Sequence, residues 1–142
     1  MVHQQLHRGR AIFSQPAMPI KCAGAPQKAM YLSADHWQRN GVLGAIDIQF
    51  CNAGPVLFGV ADYVPALMDY VKAYGIGLNF GRTLVSVDGP GKQAVFRQAK
   101  ADGKAELITQ DFDMLHAVPP QTAPDFIRVS PLADAAGWVD VD

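Results

Sequence analysis

The stretch that decides the fold is Ile20-Lys21-Cys22-Ala23-Gly24-Ala25-Pro26-Gln27-Lys28. A strand-like run, Ala11-Ile12-Phe13-Ser14, precedes it, and a run with helical spacing follows it. It therefore reads as the turn from a first strand into a first helix. Pro26 suits the first helical position, where its missing N–H costs nothing. Pro16 and Pro19 keep the approach to the turn extended. The turn also sets a thiol, Cys22, just ahead of a helix N-terminus.

Downstream, Ala29, Met30, Ala34 and Trp37 recur at helical spacing, and Asn40-Gly41 is a natural stop. His36, beside Trp37, reads as a surface residue. In Ala45 to Asn52, Ile46, Ile48 and Phe50 alternate with Asp47, Gln49 and Cys51, the pattern of a half-buried strand. Asp62 is the expected cap of a second helix, which carries Pro65 in its first turn and ends near Tyr74-Gly75. Strands are expected at Ile76–Phe80, Thr83–Val87, Gln93–Gln98, Ala105–Thr109 and Phe112–Val118, the middle three forming a meander. Upstream, His3 to Arg10 is polar and reads as a frayed tail or the end of a preceding segment.

The order β-α-β-α-β, a β-meander and a returning strand predicts an α/β fold. It is a Rossmann-like three-layer domain: a central parallel sheet, helices on one side and the meander on the other. A dinucleotide-binding version would carry G-x-G-x-x-G at the first strand-to-helix turn and an acidic residue at the end of the second strand. Here the turn holds one glycine, Gly24, and the strand ends in Cys51-Asn52. Asp47 lies mid-strand and substitutes poorly. NAD(P) is not expected.

A chain of 142 residues, 49% hydrophobic, suits one globular domain. Its formal net charge of -1 is spread without a like-charge block, so no nucleic-acid partner is expected. The stretch Met1 to Arg10 lacks an apolar h-region and is not expected to be a signal peptide, and no run of 18 apolar residues occurs. The closing run Gly137-Trp138-Val139-Asp140-Val141-Asp142 is strand-like and suggests a piece of a longer protein.

Two readings of Cys22 stand side by side. A helix N-terminus with Lys21 and Lys28 nearby favours a reactive thiolate. A free cysteine is also a common small buried residue. Cys51, on a strand and without a basic neighbour in sequence, reads as packing. A Cys22–Cys51 disulfide is a further option. His3 and His7 share an i, i+4 spacing but have no third ligand, so no metal is expected. His116 reads as a packed, hydrogen-bonded histidine.

The string Lys21-Cys22-Ala23-Gly24-Ala25-Pro26-Gln27-Lys28, followed by Met30-Tyr31-Leu32-Ser33, resembles the sulfide:quinone oxidoreductases, flavoproteins of the disulfide-reductase type. Phe58-Gly59-Val60, Met114-Leu115-His116 with Pro119-Pro120, and Ser130-Pro131-Leu132-Ala133-Asp134 with the closing Trp138 run extend the likeness. The resemblance implies a fragment: residues 1–10 a remnant of a preceding segment, 11–118 a degenerate NADH-like domain, and 119–142 a return towards an absent FAD domain. It implies that Cys22 is one of two redox cysteines, with Lys28 close to the active-site cavity and Pro119 and Pro120 beside the cofactor. The parent would oxidise sulfide to sulfane sulfur and pass electrons through FAD to quinone at an inner membrane. The fragment itself would be soluble and inactive, would hold no FAD, and would tend to dimerise through uncovered apolar surface. The alternatives are an NADH-dependent disulfide-reductase relative and a non-catalytic Rossmann-like binding or sulfur-carrier module.

Overall fold

The computed structural model describes residues 2–141. Four parallel strands form one sheet in the order β3-β2-β1-β7: β1 (Gly9–Gln15), β2 (Ile46–Asn52), β3 (Gly77–Phe80) and β7 (Met114–His116). A second, antiparallel sheet runs β4 (Arg82–Asp88), β5 (Gln93–Ala99) and β6 (Ala105–Asp111). The helices α2 (Ala25–Arg39) and α3 (Val64–Ala73) pack on one face of the parallel sheet. The expected fold class is the observed one.

The two faces carry different cores. Phe13, Ile48, Phe50 and Met114 meet Met30, Ala34 and Trp37 of α2 and Val71 of α3. On the opposite face Ile12 and Cys51 meet Ala94 and Phe96 of the meander. β1 is therefore buried without a break from Ala11 to Gln15, as a central parallel strand covered on both sides must be. β2 starts with the expected alternation, but its end, Phe50-Cys51-Asn52, is buried on both faces because the meander lies over it.

Several boundaries depart from the sequence reading. α2 begins at Ala25 after Gly24, with no side-chain cap. Asp62 does not cap α3: it lies inside a 3-10 turn, Ala61–Tyr63, and Tyr63 occupies the cap position. Pro65 falls in the first turn of α3, as its ring requires. β7 is only three residues long. Its flanks bond elsewhere: the Asp113 carboxylate accepts from Arg10 N at 2.8 Å, and Val118 N donates to Ser14 Oγ at 3.1 Å.

The polar N-terminal stretch forms a short helix, α1 (Val2–Gln5), and β1 starts at Gly9. Trp37 Nε1 donates to His3 O at 2.8 Å, and Leu6 packs on the helix-side core. His3 pairs edge-on with the half-buried His36, ring centroids 5.4 Å apart, rather than with His7. Beyond β7, a short helix α4 (Asp125–Arg128) leads to a bridge between Ala133 and Val139.

A candidate cofactor cleft beside the cysteine turn

β1 hands the chain to β2 on one side, while β7 returns to the other side of β1. The sheet thus changes direction between β1 and β7, and open α/β sheets bind ligands outside the carboxyl ends at such a point. A cleft of about 540 Å³ opens there. Its walls are the end of β1 with Pro16–Pro19, one edge strand of the meander (Thr83–Val87), and Ala117–Gln121 after β7. Pro119 and Pro120 line it.

Ser14 holds the cleft floor together: its hydroxyl donates to His116 O at 3.5 Å and accepts from Val118 N. Gln121 then ties the segment after β7 to the cysteine turn, since Lys21 N donates to its Oε1 at 2.6 Å. That bond spans 100 residues of sequence and ties together the residues that neighbour Cys22 and Pro120 in the chain; Pro120 lines the cleft and Cys22 does not.

Cys22 is exposed, and Ala25 N donates to its carbonyl at 3.1 Å. Lys28 is exposed one turn into α2, with Cε 3.9 Å from where a Cβ on Gly24 would lie. It lines a smaller cavity of about 220 Å³ with Tyr31, Phe58 and Tyr63. Tyr31 donates its hydroxyl to Leu67 O at 3.3 Å, and burial pushes its pKa up to about 12. The turn is braced from below: the buried Gln27 donates its amide to Leu57 O at 2.6 Å, fixing α2 to the loop after β2. Asn52 closes that loop by accepting from Gly54 N and donating to Val56 O.

The two cysteines are free and differ in environment. Cys51 is fully buried, with Sγ 3.9 Å from Gln110 Oε1. Burial pushes its thiol up to about 11, against the opposing charge and hydrogen bond of Arg82. The packing reading of Cys51 holds, but it has a basic neighbour after all, delivered by the meander. Asp47 lies towards the other end of the sheet, paired with Arg10 at 2.7 Å, and cannot serve a ligand at the carboxyl ends. His116 packs on Phe13 at 5.7 Å, yet its Nδ1 is buried without a hydrogen-bond partner. The sequence reading had it hydrogen-bonded. Among the described residues, no three His, Cys, Asp or Glu side chains gather as a metal would need.

Sequence reasoning missed Gln15, Ser14, Gln27 and Gln121. A lone polar residue at a strand end or in a Pro-rich loop has no periodicity to mark it. Only Asn52-Ala53-Gly54 carries a local signal, that of an Asx turn.

No family model matches the chain. It is 40% identical over 139 residues to the mitochondrial sulfide:quinone oxidoreductase of Mus musculus, covering 98% of this chain and 30% of that protein. It is 42% identical over 136 residues to the enzyme of the same name from Schizosaccharomyces pombe, covering 94% of this chain and 29% of that protein. The chain spans less than a third of the length of these relatives. Among solved structures, a chain of the Tetrahymena thermophila mitochondrial ATP synthase superposes with a TM-score of 0.76 at 18% identity, over 99% of this chain and 34% of that one. The sulfide:quinone oxidoreductase of Aquifex aeolicus superposes with a TM-score of 0.63 at 15% identity, over 92% of this chain and 30% of its own. At those identities the structural likenesses establish the fold alone, while the sequence likeness, sustained from end to end, makes this chain a homologue of one segment of the sulfide:quinone oxidoreductases.

Proposed function

We propose that the chain is the redox-cysteine segment of a flavoprotein that oxidises sulfide to sulfane sulfur and passes two electrons to quinone. The observation that carries this reading is the 40% identity to a sulfide:quinone oxidoreductase over 98% of the chain. Cys22 is the proposed redox cysteine, because it is exposed on the turn, whereas Cys51 is buried behind the meander. Its partner cysteine lies outside these 142 residues. Hydrosulfide attacks the partner's sulfur in the mixed disulfide, the S–S bond breaks, and Cys22 leaves as the thiolate. The partner keeps the added sulfur as a persulfide. The two electrons from sulfide then reside on Cys22, and Lys28 supplies positive charge from the first turn of α2.

FAD, when bound, supplies the two-electron acceptor between thiolate and quinone. The cleft fits its ring and not its phosphates. Pro119 and Pro120 give apolar wall, but no Lys or Arg lines the cleft and the turn above it has one glycine. The pyrophosphate must be gripped by a flavin-binding part beyond this segment. The segment alone therefore does not turn over. The parent is proposed to work at a membrane, where its quinone resides; among the described residues no helix is long and apolar enough to cross one.

The test is Cys22→Ser in the flavin-loaded parent, assayed for sulfide-dependent quinone reduction. The rate should fall to background, and NADH should not replace sulfide. A near-wild-type rate overturns the assignment of Cys22, and rapid flavin reduction by NADH overturns the reading as a whole.

A further inference from the structure

The exposed turn that carries Cys22 hangs between buried posts. On the near side, Gln15 at the close of β1 is 7% exposed and accepts Ala53 N on its carbonyl at 3.0 Å; Ile20, just before the turn, is buried too. On the far side, Pro26 and Gln27 are buried in the first turn of α2. Two hydrogen bonds flank Cys22 between these posts. Ala25 N donates to the Cys22 carbonyl within the turn, and Lys21 N donates to Gln121 Oε1 across the molecule. Among the described residues, only the second reaches the wall of the cleft.

Gln121 is built for such a hold. It follows Pro119-Pro120, whose rings fix φ at about −65°. Ala123, two residues on, is buried and anchors the other side. The Gln121 side chain therefore leaves a stiff segment, and little further freedom is lost when it bonds. The bond itself lies at the surface, so losing it uncovers no buried group. What it changes is where the turn sits.

We propose that Gln121 is a positioning residue for Cys22: by holding Lys21 N it keeps the cysteine turn against the cleft wall, so that the thiol is presented to what lies in the cleft. Cys22 does not itself line the cleft, so its reach into it is set by this hold. The inference rests on the proposed function only where the thiol is called redox-active.

The experiment attaches a nitroxide to Cys22 of the 142-residue chain through a methanethiosulfonate reagent and records the spin-label spectrum. Cys51 is buried and stays unlabelled. A slow component should dominate in the wild type. Gln121→Leu removes the acceptor and should lower the ratio of slow to fast component roughly two- to tenfold, the worth of one neutral hydrogen bond, with the urea midpoint in place. Gln121→Glu keeps an oxygen on a side chain of the same length and should restore the slow component. In the flavin-loaded parent, Gln121→Leu should slow flavin reduction at saturating sulfide by the same factor and leave the half-saturating sulfide unchanged, and Gln121→Glu should rescue the rate. An unchanged spectrum in Gln121→Leu overturns the proposal. So does a Gln121→Glu label as mobile as that of Gln121→Leu, or a urea midpoint that falls together with the slow component. A parent indifferent to Cys22→Ser, while Gln121→Leu frees the label, sinks only the proposed function. A parent that needs Cys22 but reduces its flavin at the same rate in Gln121→Leu sinks only this inference.

Discussion

At the scale of single residues, Cys22 and Cys51 make a paired experiment. Iodoacetamide at pH 8 should label one thiol in the native chain, Cys22, and two after denaturation. Labelling of Cys51 at the same rate as Cys22 would contradict its burial. Cys51 also predicts alkaline sensitivity. Its folded-state pKa is raised from 9.0 to about 11, so the neutral thiol is the form the fold prefers. That contribution is complete below pH 9 and is lost as pH rises through about 11, amounting to roughly 2–3 kcal/mol. Tyr31, raised from 10.0 to about 12, works in the same direction one unit higher. Urea midpoints should hold up to about pH 9 and fall from there to pH 11, and Cys51→Ala should flatten that fall. Gln27→Ala leaves the carbonyl of Leu57 unpaired in a buried place and should cost about 1–3 kcal/mol by urea titration. Of these residues, Cys51 is legible as packing from its place on a strand with no basic neighbour in sequence, although the alternation puts it on the polar face that the meander covers. Arg82 beside it was not, because a residue 31 positions later reaches it only through the meander. Cys22 stood out by its place before a helix. Gln15 and Gln121 gave no sign, since their roles depend on strand ends that meet only in the folded sheet.

At the scale of elements, the pattern of helices and strands was readable because each carries its own period. What the pattern did not contain was which strand face the meander covers. Phe96 settles that, fully buried against Ile12 and Cys51. Phe96→Ala should cost about 3–5 kcal/mol, felt first in the meander. Amide exchange should quicken in β4–β6 while β1 and β2 stay protected; equal acceleration in both sheets would show that they unfold as one unit. The start of α3 was misread for a related reason. Asp62 is a good cap by composition, but the 3-10 turn moves the cap one residue on, to Tyr63. The apolar run Phe112–Val118 reads longer than β7 because Asp113 and Val118, at its two flanks, bond to Arg10 and Ser14 instead of extending the ladder.

At the scale of the whole molecule, large apolar side chains stay at the surface: Phe126 and Val129 around α4, Leu132 after it, and Leu107 on the meander. We expect the isolated chain to self-associate through them. Sedimentation should show a weight-average mass that rises with concentration, and a clean monomer at high concentration would count against it. Neither salt nor charge should rescue much, since the ion pair Arg10–Asp47 and that of Lys100 with Glu106 are both surface pairs.

The pairing of β7 with β1 has a consequence in time. The bond from Arg10 N to Asp113 spans 103 residues. A ribosome adding about 5–20 residues per second needs roughly 5–20 s to deliver that stretch. Through that interval β1, buried without a break from Ala11 to Gln15, has one hydrogen-bonding edge with no partner. The nascent chain thus passes through a stage in which its best-buried strand is an open template, and that stage is where a holding chaperone would find it.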